Sequence, residues 1–88
     1  ELHTGKLSNL VKNKKNYTNE LKKIINCAKY AKSIGLEVHV GHGLDYKTTK
    51  LLSRSKYIEE FNIGHFIIGE AVLDGLKKVI NKFRGIIK

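Results

Sequence analysis

Three short strand-like runs, each closed by a glycine, alternate with helical patterns along this chain. The runs span residues 1–5, 36–40 and 58–63, and their closing glycines are Gly5, Gly41 and Gly64. The resulting order is strand, helix, strand, helix, strand, helix, which is typical of parallel strands joined by helical crossovers. This order limits the fold more than any other feature of the chain, and it predicts an α/β architecture.

Apolar residues that recur every three or four positions predict where the helices lie. The first helix is expected to start at Thr18 as its N-cap and to end at Gly35 as its C′ residue. The second helix starts after Asp45 and extends to about Lys56. The last helix is expected to begin after Gly69.

Composition narrows the class of protein. The 88 residues form one domain at most, and no apolar run is long enough to span a membrane. The chain has no methionine, so Glu1 is not a translation start and we expect a piece of a longer protein. The single cysteine, Cys27, cannot form an internal disulfide, and its place beside Ala28 predicts a buried, inert thiol. Residues 6–17 are rich in Lys and Asn, show no helical period and are predicted to form a loop.

Alternate residues give each strand two different faces. Right-handed crossovers would place all the helices on the apolar face and leave the other face bare. The bare face would carry Glu1, His3, Glu37, His39 and Asn62. A barrel resolves this, because the uncovered face turns inward toward the opposite wall. Three βα units in 88 residues are about a third of a barrel of roughly 250 residues. The pattern therefore predicts part of a (β/α)8 barrel, with a small open βαβ sandwich in an oligomer as the alternative.

The carboxyl ends of the strands hold the candidate chemistry, since barrels build their sites there. His42 lies between two glycines, and histidine is the side chain whose ordinary chemistry suits a general acid or base near neutral pH; the alternative is an exposed histidine in a turn. Gly64 and His65 precede a helix start that could bind phosphate, or serve packing alone. Glu1 could stabilise a cationic intermediate or be a solvated terminal carboxylate. No histidine spacing predicts a metal site.

The formal net charge of +9 raises a different possibility, a basic nucleic-acid-binding α/β module. The lysines and arginines, however, occupy the polar faces of all three predicted helices, and no aromatic residues interleave with them as a stacking platform. A solvated outer surface, balanced by acidic residues elsewhere in a longer chain, is the interpretation we favour, and nucleic-acid binding is the alternative.

Three blocks of residues, in order and nearly in register, resemble the C-terminal third of the pyridoxine 5′-phosphate synthase family. The blocks are residues 1–5, 35–44 and 61–69. The family is a (β/α)8 (TIM) barrel, so the resemblance implies that residues 1–88 are strands six to eight of a single barrel domain. One segment and two single positions depart from the family pattern: the Lys- and Asn-rich segment 6–17, His39 where a smaller polar residue such as Asn can occur, and Glu70 where Arg can occur.

The resemblance implies a transferase of vitamin B6 biosynthesis that condenses 3-amino-2-oxopropyl phosphate with 1-deoxy-D-xylulose 5-phosphate, giving pyridoxine 5′-phosphate, inorganic phosphate and water. It implies that His42 is the proton donor, that Glu1 stabilises a transition state, and that Gly43, Gly64 and His65 bind the amino-oxopropyl phosphate. It further implies a cytoplasmic homo-octamer without metal or organic cofactor, and no nucleic-acid or membrane partner. Other catalytic residues of the family lie outside this chain, so we expect the 88 residues alone to be inactive.

Overall fold

A computed structural model describes residues 1–87 as three short strands and five helices. The elements are β1 (Leu2–His3), α1 (Gly5–Lys12), α2 (Thr18–Ser33), β2 (His39–Gly41), α3 (Tyr46–Ser53), β3 (Glu60–Asn62), α4 (His65–Asp74) and α5 (Leu76–Ile87). None of the helices within residues 1–87 is long and apolar enough to cross a membrane.

The three strands form one parallel sheet in the order β1-β2-β3. Leu2 is opposite Val40 in the first pair of strands, and Val40 is opposite Phe61 in the second. The predicted α/β class and parallel strands are therefore confirmed. The (β/α)8 barrel stays a prediction, because these strands make up one small sheet.

The two faces of the sheet differ as the alternation predicts. One face packs against helices around a hydrophobic core. The core contains Leu7, Ile24, Ala28, Val38, Val40, Leu44, Leu52 and Ile58. The opposite face carries Glu1, His3, Glu37 and Asn62, which are exposed, and His39, which is half-buried. Within residues 1–87, this face has no helix over it to exclude water.

The prediction of a loop over residues 6–17 is wrong for its first half. Helix α1 begins directly after β1, because Leu7, Leu10 and Val11 recur at helical spacing. Leu7 is completely buried in the core, and the other two are half-buried. Lysines and asparagines between these positions hide the pattern, but they lie on the solvent side of the helix. Only residues 13–17 connect α1 to α2 without a helix.

Helix α2 confirms the first predicted helix and its end before Gly35. The helix begins at Thr18 with Tyr17 as its N-cap, so the prediction of Thr18 as the cap is wrong by one residue. The Asn16 side chain accepts a hydrogen bond from the Thr18 N–H at 3.0 Å. At the other end Gly35 has φ 87°, and its N–H and that of Leu36 donate to carbonyls of the last turn. The prediction that Cys27 is buried is wrong: it is exposed, because one residue is about 100° of helix rotation away from the buried Ala28.

Helix α3 starts after Asp45, as predicted, but ends at Ser53 and not near Lys56. Asp45 and Thr48 form a reciprocal cap: the Asp45 carboxylate accepts from the Thr48 N–H at 2.8 Å, and the Thr48 hydroxyl accepts from the Asp45 N–H at 3.0 Å. This cap fixes the chain direction just after the second strand end.

The prediction of one last helix after Gly69 is wrong. Helix α4 begins four residues earlier, at His65, and Gly69 lies inside it. The break falls at Gly75, whose φ of 86° ends α4 before α5 starts. Rings of Tyr46, Phe66 and Phe83 pack together with centroids 4.6–5.8 Å apart, so α3, α4 and α5 are joined and the start of α4 is held in place.

Candidate active site

The carboxyl ends of all three strands line one cleft of about 1120 Å³. Residues from these ends on its wall are His3, Gly5, His42, Gly43, Asn62, Gly64 and His65. Four of the five site residues predicted from the sequence therefore share the cleft wall: His42, Gly43, Gly64 and His65. Parallel strands bring their carboxyl ends to the same edge of a sheet, which is why residues distant in sequence meet here.

His42 has an unusual backbone conformation. Its φ is 85°, in the left-handed region, which costs a residue other than glycine about 1–2 kcal/mol. Gly43 follows with φ 74°, so the chain makes a sharp turn at the end of β2. The Thr4 hydroxyl lies 2.8 Å from the Gly41 carbonyl oxygen and 2.8 Å from that of His42. Thr4, the residue between β1 and α1, thus holds the turn that carries the imidazole.

The imidazole of His42 stacks on that of His3, with ring centroids 4.2 Å apart and planes 26° from parallel. Both rings lie close to the Cα of Gly5. A Cβ at Gly5 would come within 2.7 Å of His3 Cε1 and 3.0 Å of His42 Cδ2. A glycine is therefore needed at the first position of α1 so that the two rings can pack there.

Glu1, the fifth predicted site residue, lies on the bare face of the sheet beside the cleft. Its carboxylate lies over Gly41, where a Cβ would come within 2.7 Å of Oε2. The Asn62 side-chain amide donates a hydrogen bond to the same carboxylate oxygen. Asn62 itself lines the cleft, so Glu1 is tied to the cleft wall across all three strands. This tie opposes the view of Glu1 as a free terminal carboxylate.

The electrostatics of the cleft suit an anion. Helices α1 and α4 both begin at its wall, with Gly5 and His65, and the N–H groups of a first helical turn lack intrahelical acceptors. Lys6, Lys12 and Lys15 also line the cleft. A ligand with phosphate groups would therefore meet lysine side chains and the N-terminal ends of two helices.

A second polar cluster lies at the opposite end of the sheet. His39 Nε2 is 2.8 Å from a Glu37 carboxylate oxygen, and Nδ1 is 3.0 Å from Glu60. The hydrogen bond to Glu37 and the charge of Glu60 raise the pKa of His39 above its usual 6.5, against partial desolvation of the ring. This cluster is outside the cleft. Within residues 1–87, no group of three or more His, Cys, Asp or Glu side chains is arranged to hold a metal ion.

Comparison with known proteins assigns the chain to a family. The family model described as "Pyridoxal phosphate biosynthesis protein PdxJ" matches residues 1–88. The chain belongs to the PdxJ family. It is 60% identical over 86 residues to the pyridoxine 5′-phosphate synthase of Pelagibacter ubique, covering 98% of this chain and 36% of that protein. It is 46% identical to the synthase of a Sulfurihydrogenibium species, with 99% and 35% covered, and 41% identical to that of Caulobacter vibrioides, with 100% and 35% covered.

The chain spans about a third of the length of the curated relatives it matches. The match to the family model confirms the resemblance inferred from three sequence blocks. These blocks contain the strand ends that meet at the cleft.

Sequence reasoning missed several residues of this PdxJ-family cleft. Lys6, Ser8 and Asn9 line it because α1 begins at its wall, whereas a loop was expected there. The spacing of Leu7, Leu10 and Val11 could have revealed that helix. No sequence signal distinguishes the structural roles of Thr4 and Asn62, because their partners are 37, 38 and 61 residues away.

Proposed function

We propose that residues 1–88 are the C-terminal part of a pyridoxine 5′-phosphate synthase, which condenses 3-amino-2-oxopropyl phosphate with 1-deoxy-D-xylulose 5-phosphate. The products are pyridoxine 5′-phosphate, inorganic phosphate and water. Membership of the PdxJ family over the whole chain supports the reaction. We assign the reaction to this part of the chain because one cleft wall holds His42, Gly43, Gly64 and His65.

The amino-oxopropyl phosphate is proposed to bind where Gly43 and the Gly64–His65 junction line the cleft. The first turn of α4 offers N–H groups to a phosphate, and a phosphate gains further from the positive end of a helix dipole. Gly43 leaves the turn after β2 without a side chain, so a ligand can approach the backbone there.

His42 is proposed to donate a proton during the condensation, and Glu1 to stabilise positive charge that develops on the substrate. The imidazole of His42 is at the cleft wall and stacks on the ring of His3. The Glu1 carboxylate is held by Asn62, so it is fixed before a charge develops near it.

The bare face of the sheet supports the barrel that the proposal includes. A parallel sheet with polar residues on one uncovered face is stable when that face closes on further strands. We place β1, β2 and β3 as strands six to eight of a (β/α)8 barrel domain. The proposal also includes a cytoplasmic homo-octamer that works without a metal or organic cofactor and binds neither nucleic acid nor membranes.

The test uses the full-length polypeptide that carries these residues, assayed for pyridoxine 5′-phosphate formation from the two phosphates. His42→Asn is expected to lower kcat by roughly 10²- to 10⁴-fold, the usual contribution of a positioned general acid. His39→Asn is the matched control, because His39 lies on the same strand but faces Glu37 and Glu60 outside the cleft. It should keep kcat within about threefold.

Absence of product with the unaltered full-length polypeptide would refute the proposed function. Full activity in His42→Asn would refute the role of His42 alone. The 88-residue chain by itself should form no product, since the resemblance places other catalytic residues of the family outside this chain. Turnover by this chain would refute that expectation.

A further inference from the structure

His42 occupies a conformation that its own side chain disfavours. At φ 85° a β-carbon crowds the neighbouring carbonyl oxygen, and glycine is the residue that adopts this region without strain. Such a conformation persists when surrounding contacts hold it, and it is found most often where function depends on it. The contacts that hold His42 therefore decide where its imidazole lies.

Thr4 makes the closest of these contacts. It is completely buried, and its hydroxyl oxygen is 2.8 Å from both the Gly41 and the His42 carbonyl oxygens. The Gly41 carbonyl already accepts the Thr4 N–H at 2.9 Å, so the hydroxyl proton is available to the His42 carbonyl. Although Thr4 immediately precedes α1, its side chain makes no hydrogen bond that caps that helix.

We infer that Thr4 is a positioning residue for His42, and this inference rests on the proposed function. The hydrogen bond from the Thr4 hydroxyl to the His42 carbonyl holds the left-handed turn in place. The His3 ring limits the imidazole from the side at 4.2 Å. Without the hydroxyl, the His42 peptide is free to rotate toward a relaxed φ, and rotation at this position swings the imidazole away from the cleft wall.

Two substitutions separate the hydroxyl from the shape of the side chain. Thr4→Val has nearly the same volume and branching but cannot donate a hydrogen bond, whereas Thr4→Ser keeps the hydroxyl and loses a methyl group. Thr49→Val is the matched control: Thr49 is also completely buried, and its hydroxyl makes no hydrogen bond within residues 1–87.

The experiment measures kcat and KM for pyridoxine 5′-phosphate formation, together with the urea unfolding midpoint, in the full-length polypeptide. Thr4→Val is expected to lower kcat roughly 10²-fold with KM changed by less than about threefold, the signature of a misplaced catalytic group. Thr4→Ser and Thr49→Val should keep kcat within about threefold. In a His42→Asn background, Thr4→Val should lower the residual rate no further, because Thr4 acts through His42.

Each outcome is decisive for Thr4. Equal kcat values for Thr4→Val and the unaltered polypeptide would overturn the inference. The inference would also be overturned if Thr4→Val lowered kcat by the same factor in the His42→Asn background as in the unaltered polypeptide. If Thr4→Val does not fold, Thr4→Ala is compared with Thr4→Ser, because these two variants differ in the hydroxyl alone. If Thr4→Ala does not fold either, the role of Thr4 is structural and the positioning role is overturned. An inactive unaltered polypeptide would refute the proposed function instead, which distinguishes the two failures.

Discussion

Adjacent threonines in α3 are expected to respond in opposite directions to the same substitution. Thr48 and Thr49 are both completely buried. The Thr48 hydroxyl donates to the Asp45 carboxylate at 2.7 Å and accepts from the Asp45 N–H at 3.0 Å. The Thr49 hydroxyl has no hydrogen-bond partner within residues 1–87, and complete burial leaves no surface for another part of the protein to supply one.

The expected magnitudes come from these contacts. Thr49→Val replaces a buried, unpaired hydroxyl with a methyl group of similar size, and it should raise the free energy of unfolding by about 1 kcal/mol. Thr48→Val removes half of the reciprocal cap and leaves the Asp45 N–H without its partner, which should lower that free energy by about 1–2 kcal/mol. Thr and Val have nearly equal helix propensities, so propensity does not explain a difference between the two sites.

The assay is urea unfolding of the full-length polypeptide, followed by circular dichroism, with Thr48→Ser as the control that keeps the capping hydroxyl. The two valine variants should differ by about 2–3 kcal/mol at an unchanged dependence on urea. If Thr49→Val destabilises as strongly as Thr48→Val, the argument from the unpaired hydroxyl is refuted. If Thr48→Ser destabilises as strongly as Thr48→Val, the capping hydrogen bonds are not what stabilises this helix start.

Two further changes test the packing of the site and the charged cluster. In the full-length polypeptide, Gly5→Ala should lower kcat of the proposed condensation by roughly tenfold or more, because its Cβ would come within 3.0 Å of both stacked imidazole rings. Gly69→Ala, whose Cβ meets nothing within 4 Å, is the control, and equal activity of the two variants would contradict the close packing. The raised pKa of His39 means that its stabilisation is complete below pH 6.5 and is lost as pH rises through the folded-state pKa. His39→Asn should therefore lower the urea midpoint at pH 6 and leave it nearly unchanged at pH 9, and an equal loss at both values would contradict the assignment.

Local sequence patterns predicted the elements whose signals lie within a few residues. The C′ role of Gly35 and the cap at Asp45 follow from contacts to neighbours three to five positions away, and both are found. The parallel order followed from the alternation of strands and helices. The strand ends met at one cleft because parallel topology requires it, so the gathering of His42, Gly64 and His65 could also be foreseen.

The sequence predictions fail for two physical reasons: a local pattern is ambiguous, as in α1 and α4, or a contact joins residues far apart in the sequence, as for Thr4. In α1, three apolar residues were enough to bury one side of a helix, although lysines and asparagines dominate its composition. In α4, Gly69 was interpreted as a boundary, but a glycine is tolerated inside a helix and the break occurs at Gly75, where φ is positive. The contacts of Thr4 with His42 depend on the register between two strands, which a local pattern does not contain.

The ties between strand ends also determine when during folding the cleft takes shape. Thr4 reaches the Gly41 carbonyl across 37 residues of chain, and Glu1 reaches Asn62 across 61, whereas the cap of α3 joins near neighbours. Contacts between distant residues form slowly because a long loop must close first. The turn that carries His42 and the carboxylate of Glu1 are therefore expected to take their final places only after the strands have paired, later than the local cap of α3.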